Sequence, residues 1–280
     1  MDVEWLIKRF KEEGYVLDSK SALAVFLSLI MEKPLLIEGP PGCGKTELAK
    51  ITAKVLNTEL IRLQCYEGLD SSQALYEWDY PRQLLELKML QAEELSKDEI
   101  RKEIYSERFL LERPLLKALR ANKRVVLLID EIDRADPEFE GFLLEFLGEF
   151  QITIPEMGTI LAKHKPYVFI TSNKTRDLSD AIKRRCLYLY IDYPPPEKEL
   201  EIIKTKLGNV REDLAKDAIN LVNKIRNNNK ILHKPGIAET LDFINALNSL
   251  KVNSIDENVI RNLIGTLLKD EEDIVYFLGD

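Results

Sequence analysis

Eight consecutive residues, Gly39-Pro40-Pro41-Gly42-Cys43-Gly44-Lys45-Thr46, fit the pattern G-x-x-x-x-G-K-[ST] at every fixed position. Glycines at these positions let the backbone wrap closely around an anion, with several N–H groups pointing inward. A helix opening over Thr46, Glu47 and Leu48 adds the partial positive charge of its N-terminus. Lys45 is the residue to reach the β- and γ-phosphates, and Thr46 the hydroxyl ligand for Mg²⁺, a cation that prefers oxygen donors. Far downstream, the apolar run Leu127-Leu128-Ile129 ends in Asp130-Glu131. Asp130 suits a Mg²⁺ beside a triphosphate, held directly or through water, and Glu131 suits the orienting of an attacking water. Asn173 closes a second apolar run, where it either holds that water or a γ-phosphate oxygen, or merely caps a turn. Lys183-Arg184-Arg185 reads either as a solvated charged face or as an arginine finger serving a neighbouring subunit. The combination predicts binding and hydrolysis of a nucleoside triphosphate, with ATP and Mg²⁺ as cofactors.

The elements that must hold these residues follow from periodicity. Val3 to Lys11 predicts an amphipathic helix, and Asp18 or Ser19 caps a second from Ser21 to Met31, apolar on most sides and so expected to be buried. Pro34 to Ile37 and Glu59 to Leu63 predict strands on either side of the glycine loop and its helix. Residues 64–91 read as irregular, with Tyr66, Tyr76, Trp78 and Tyr80 close together, and Ser96 to Arg120 as a charged helical region. Tyr66, Trp78 and Tyr80 could grip a client peptide or stack on bases, but packing within the loop is the plainer expectation for at least one. Arg124 to Ile129 predicts a buried strand, Asp136 the cap of a helix to Phe150, and Gln151–Ala162 a hairpin turning at Glu156-Met157-Gly158. Strands follow at Pro166–Thr171 and Leu187–Ile191. Past Pro194-Pro195-Pro196 only helical patterns remain, near 197–207, 211–228, 237–250, 256–269 and 271–278. The expected class is α/β, with domains at 1–193 and 194–280, the second small and all-helical.

The 280 residues are 45% hydrophobic and 31% charged, with a net charge of −8, which describes a globular chain without a global basic footprint for nucleic acid. Three widely spaced cysteines, one inside the glycine loop, argue against a disulfide framework. No apolar run reaches the length of a membrane span, and the first residues lack a signal-peptide pattern, so no membrane partner and a cytoplasmic location are expected. His164 and His233 stand far apart, and neither has neighbours at metal-ligand spacing, so no metal beyond Mg²⁺ is expected.

The order of elements resembles AAA+ ATPases, and the wording of four stretches is similar to the MoxR group, in particular its CoxD-like branch. These are Gln64-Cys65-Tyr66-Glu67-Gly68-Leu69-Asp70, Gln73-Ala74-Leu75-Tyr76-Glu77-Trp78-Asp79-Tyr80, Ile132-Asp133-Arg134-Ala135-Asp136, and Ser179 to Tyr193. The resemblance spans roughly residues 15–250. It implies a P-loop AAA+ core, a parallel sheet flanked by helices, followed by a helical lid. It further implies a homo-oligomeric ring, usually a hexamer, with ATP at subunit interfaces. Asn173 then matches the first sensor, and Arg185, just before Cys186, the finger, with Arg184 beside it. Tyr15 and Val16 fall where relatives place adenine, although Tyr15 is as readily an ordinary packing aromatic. Residues 64–91 and 150–164 match insertions that face the ring pore or a client. Relatives activate or insert metal into client enzymes, commonly with a partner bearing a von Willebrand factor A domain.

One departure stands out. Many MoxR relatives carry a lid arginine near a Ser-Pro-Arg sequence as a second sensor, whereas here the segment reads His233-Lys234-Pro235-Gly236-Ile237-Ala238-Glu239-Thr240. Lys234 either substitutes, as a point charge without a bidentate fork, or the role is absent. Two other functions fit the same core. A nucleic-acid motor or loader is disfavoured by the acidic balance, and a nucleotide-gated module with little turnover by the intact Asp130-Glu131 pair.

Overall fold

A computed structural model describes residues 1–90, 96–155 and 157–279, with the side chains of Ser71 and Ser72 excepted. The end of the 64–91 stretch and Glu156 of the expected hairpin turn lie outside the described residues. In chain order the elements are α1 (Val3–Glu12), α2 (Ser19–Met31), β1 (Leu35–Glu38), α3 (Lys45–Val55), β2 (Leu60–Gln64), α4 (Ser71–Ala74), β3 (Tyr76–Trp78), α5 (Tyr80–Leu90) and α6 (Lys97–Ile104). There follow β4 (Leu110–Glu112), α7 (Pro114–Arg120), β5 (Val126–Asp130), α8 (Pro137–Glu149), β6 (Gln151–Ile154), β7 (Gly158–Leu161), β8 (Tyr167–Ser172), α9 (Asp180–Arg185) and β9 (Leu187–Tyr190). Five helices close the chain: α10 (Pro196–Leu207), α11 (Glu212–Arg226), α12 (Ile237–Ser249), α13 (Glu257–Leu267) and α14 (Glu271–Leu278). Among the described residues no helix is long and apolar enough to cross a membrane.

The chain divides into two compact units, residues 24–38 with 52–189, and residues 1–23 with 39–51 and 190–280. The first is built on a sheet of order β2-β5-β8-β1-β9. β5 pairs in parallel with β2 and β8, and β8 with β1. All five residues of β5 are buried, as continuous apolar runs require of central parallel strands. Leu115, Leu116 and Leu119 of α7 and Phe139, Leu143 and Phe146 of α8 pack with Leu127 and Ile129 of β5 into one core. The second unit has its own core, in which Ile203, Ile219, Val222, Phe243, Ile244 and Leu267 bring α10 to α13 together.

Three expectations are corrected. The 64–91 stretch is not irregular: β3 pairs antiparallel with β4, Tyr76 opposite Glu112 and Trp78 opposite Leu110. Trp78 is buried and meets Tyr76 and Tyr105 edge-on at 6.0 and 5.2 Å, so this aromatic is a packing residue, whereas Tyr66 and Tyr80 are exposed. The 96–120 region is not helical throughout, since β4 lies between α6 and α7. It breaks after Ile104 because Phe109 and Leu110 turn inward to meet β3, and Pro114 then starts a fresh helix from its first position. α2 is not buried all round, since Leu23, Leu27, Ile30 and Met31 are exposed along one of its faces. The 151–162 hairpin forms as expected.

Candidate functional site

At the carboxyl edge of the sheet, three parallel strands deliver their last residues side by side: Glu38 of β1, Asp130 of β5 and Ser172 of β8. Ligands of open α/β sheets gather at this edge. Asp130 is buried, and its carboxylate accepts a 2.6 Å hydrogen bond from the Thr171 hydroxyl, which in turn accepts from the Glu131 amide at 2.9 Å. Arg62 donates to the same carboxylate from two of its nitrogens, at 3.0 and 2.5 Å. Glu131 sits in the left-handed region, φ 57° and ψ 50°, a conformation costing a non-glycine residue about 1–2 kcal/mol. The turn is closed by the Arg134 amide donating to the Glu131 carbonyl at 2.9 Å. Strain of this kind concentrates at functional sites.

The Glu131 carboxylate is held from three sides. Gln64 donates to it at 3.0 Å, Asn173 at 3.3 Å, and the Arg134 guanidinium lies 3.2 Å away. Asn173 is itself fixed by Asp133, whose carboxylate accepts from the Asn173 amide at 3.1 Å and from the Thr175 amide and hydroxyl at 3.0 and 2.7 Å. Burial pushes the Asp133 carboxyl up, but these donors outweigh it and hold the group below its ordinary 3.8. Glu140 pairs with Arg176 and accepts from the Ser179 amide, bracing the same loop. The structure thus brings Asp130, Glu131 and Asn173 together. It adds Arg62, Gln64 and Asp133, which the sequence reading assigned no role. The signal for Gln64 was the register: it stands directly opposite Asp130 on β2. Asp136 stands at the N-cap of α8 as expected, but its side chain makes no capping bond and accepts from the Gly68 amide at 3.1 Å. Arg184 and Arg185 are both exposed at the end of α9, and Arg185 donates to the Ala181 carbonyl at 3.1 Å.

The glycine loop belongs to the other unit. Lys45 is buried and donates to the carbonyls of Gly39 and Pro40 at 2.9 and 2.7 Å, closing the loop on itself. Only glycine fits at position 39, because a Cβ there would stand 1.8 Å from the Ile191 carbonyl oxygen. Cys43 is buried at the base of the loop, where burial raises its thiol against the pull of Lys45. Thr46 is half-buried at the start of α3, and Glu47 lies 3.9 Å from both Lys50 and Lys206. Tyr15 points its hydroxyl at the Gly44 carbonyl, 3.4 Å away, and meets the Phe10 ring edge-on; burial pushes its phenol up. Its side chain therefore packs beneath the loop, and Val16 beside it is half-buried. Pro40, Pro41 and Gly42 line an open cleft of about 740 Å³, together with Tyr193, Arg226 and Lys234. His233, expected to have no ligand-like neighbours, lies with Asp270 and Asp273, its Nδ1 3.1 Å from Asp273. That grouping arises from tertiary contact between distant segments, which spacing in sequence does not reveal.

Residues 34–186 match the AAA domain, dynein-related subfamily. Uncharacterized proteins of Staphylococcus haemolyticus and Staphylococcus epidermidis are 27% and 26% identical over 259 and 253 residues, each match covering 86% of this chain and 87% of the relative. Among solved structures, a variant of Thermotoga maritima RuvB aligns at a TM-score of 0.52 and 19% identity over 98% of this chain and 73% of that one. A second variant of the same protein gives 0.50 and 19% over 95% and 71%. These likenesses speak to the fold: a parallel sheet flanked by helices, followed by a helical region.

Proposed function

The chain belongs to the AAA domain family, dynein-related subfamily, and from that premise we propose that it hydrolyses ATP with Mg²⁺ to remodel or mature a protein client. The observation that carries this reading is the closed glycine loop, with Lys45 buried and folded onto its own carbonyls at the head of a helix. The residues fit a triphosphate and its metal. The loop offers backbone N–H groups and an ammonium to an anion, and Thr46 and Asp130 each offer a hard oxygen donor of the kind Mg²⁺ takes. When bound, Mg²⁺ neutralises charge on the phosphate oxygens. Lys45 binds the phosphates, and Glu131 orients a water and takes its proton as the water attacks. Asn173 and Gln64 hold the Glu131 carboxylate in place for that step.

The finer reading is a MoxR-type, CoxD-like, chaperone-like machine, working as a homo-oligomeric ring in which Arg185 completes a neighbour's site and Arg184 supports it. Its functional domains are 1–193 and 194–280, and metalloenzyme activation with a von Willebrand factor A partner is its cellular role. The exposure of Arg184 and Arg185 supports the ring, since a finger must reach outside its own chain. The test is ATP turnover with Mg²⁺ and with chelator, in the native protein and in Lys45→Ala. Turnover that needs both Mg²⁺ and Lys45 upholds the proposal; turnover indifferent to either removes the loop from the reaction.

A further inference from the structure

Residues 232–236, between α11 and α12, and Ile237, which opens α12, form a strap pinned at most of its backbone groups. The buried Asp273 carboxylate accepts from the amides of Leu232 and His233, both at 2.9 Å. Tyr193 donates to the Lys234 carbonyl at 3.4 Å, and Arg226 to the Pro235 carbonyl at 2.9 Å. Glu239 accepts from the Gly236 amide at 2.9 Å. Arg226 is itself fixed: it is buried, forks onto Glu199 at 2.7 and 2.9 Å, and lies 4.6 Å over the Tyr193 ring. Thr240 donates to the same Glu199 at 2.9 Å. A bidentate pair with both partners buried holds one geometry, because moving either leaves a charge uncompensated.

What this strap presents is one amide. Ile237 donates to the Gly42 carbonyl of the glycine loop at 3.0 Å. The two backbones touch: a Cβ on Gly236 would stand 2.6 Å from the Gly42 Cα and 2.9 Å from its carbonyl oxygen. Gly42 adopts φ +75°, so the contact falls on the residue at which the loop turns.

We infer that the strap sets the shape of the phosphate loop through this backbone contact, with Gly236 and Arg226 as positioning residues for nucleotide binding. The inference rests on the reading of residues 39–46 as the phosphate site. It places the link between helical segment and loop in a main-chain hydrogen bond. Gly42 and Gly236, which meet in this contact, both line the same cleft.

Gly236→Ala tests the contact, because φ −86° at that residue is open to alanine and the three nearest atoms an added Cβ meets all belong to Gly42. Gly265→Ala is the control, since among the described residues nothing lies within 4 Å of a Cβ there. Affinity for a fluorescent ADP analogue is measured for both and for the native protein, with melting followed alongside. Gly236→Ala is expected to weaken binding about tenfold, raising KM for ATP more than it lowers kcat, while Gly265→Ala binds as the native protein does. Native-strength binding by folded Gly236→Ala overturns the inference. If that variant does not fold, hydrogen exchange in the native protein decides: ADP should change the rate at the Ile237 amide and not at the Leu268 amide, and an unchanged Ile237 overturns the inference. Failure of the native protein to bind the analogue overturns the phosphate-site reading beneath it, a separate outcome.

Discussion

At the scale of single residues, the acidic pair Asp130-Glu131 is held in place by other side chains. Asp133 shows this most clearly, since its carboxylate satisfies two amides and a hydroxyl of the loop that carries Asn173. Asp133→Ala strands those donors and is expected to cost about 2–3 kcal/mol, read as a lower denaturant midpoint. Asp133→Asn should recover part of that loss. Glu131 and Asp130 were legible as an apolar run ending in acids. Gln64, Arg62 and Asp133 were not, because their roles depend on which strands become neighbours. Gln64 meets Glu131 only through the parallel register that sets it opposite Asp130.

At the scale of elements, strong local signals were read correctly and non-local ones were lost. β5 and β8 are continuous apolar runs that only a doubly covered strand explains, and the five closing helices follow plain 3.6-residue patterns. β3 and β4 escaped because three residues each carry little periodicity, and their partner lies more than thirty residues away. α2 misled because an apolar helix was equated with a buried one, yet Leu27 and Ile30 face outward. The core assignment of α8 has a direct consequence. Phe146→Ala, at a site with no exposed surface, should cost about 3–5 kcal/mol, seen in chemical denaturation. Leu144→Ala, only partly buried on the same helix, should cost less.

At the scale of the whole molecule, three carboxylates tie separate segments together and contribute to the response to acid. Burial raises the carboxyls of Asp133, Glu140 and Asp273, but hydrogen bonds and, for Glu140, Arg176 outweigh it, so all three are held below their ordinary 3.8 and 4.5. Groups depressed by folding contribute stability that is complete above their unfolded values and lost as pH falls through the folded ones. Melting temperature should therefore hold from neutrality to about pH 5 and fall steeply below about pH 4. Asp273→Asn should flatten part of that fall. The proposed ring makes a further claim: light scattering should show the Glu131→Gln protein assembling when ATP and Mg²⁺ are added, and Arg185→Ala assembling without hydrolysis. A monomer at every concentration would remove the basis for a finger acting between subunits. The measurement that bears most directly on the account is paired on one variant, ATP affinity and ATP turnover of Glu131→Gln. ATP hydrolysis through Glu131 predicts native affinity with turnover reduced about 100-fold or more. Native turnover in that variant would contradict it.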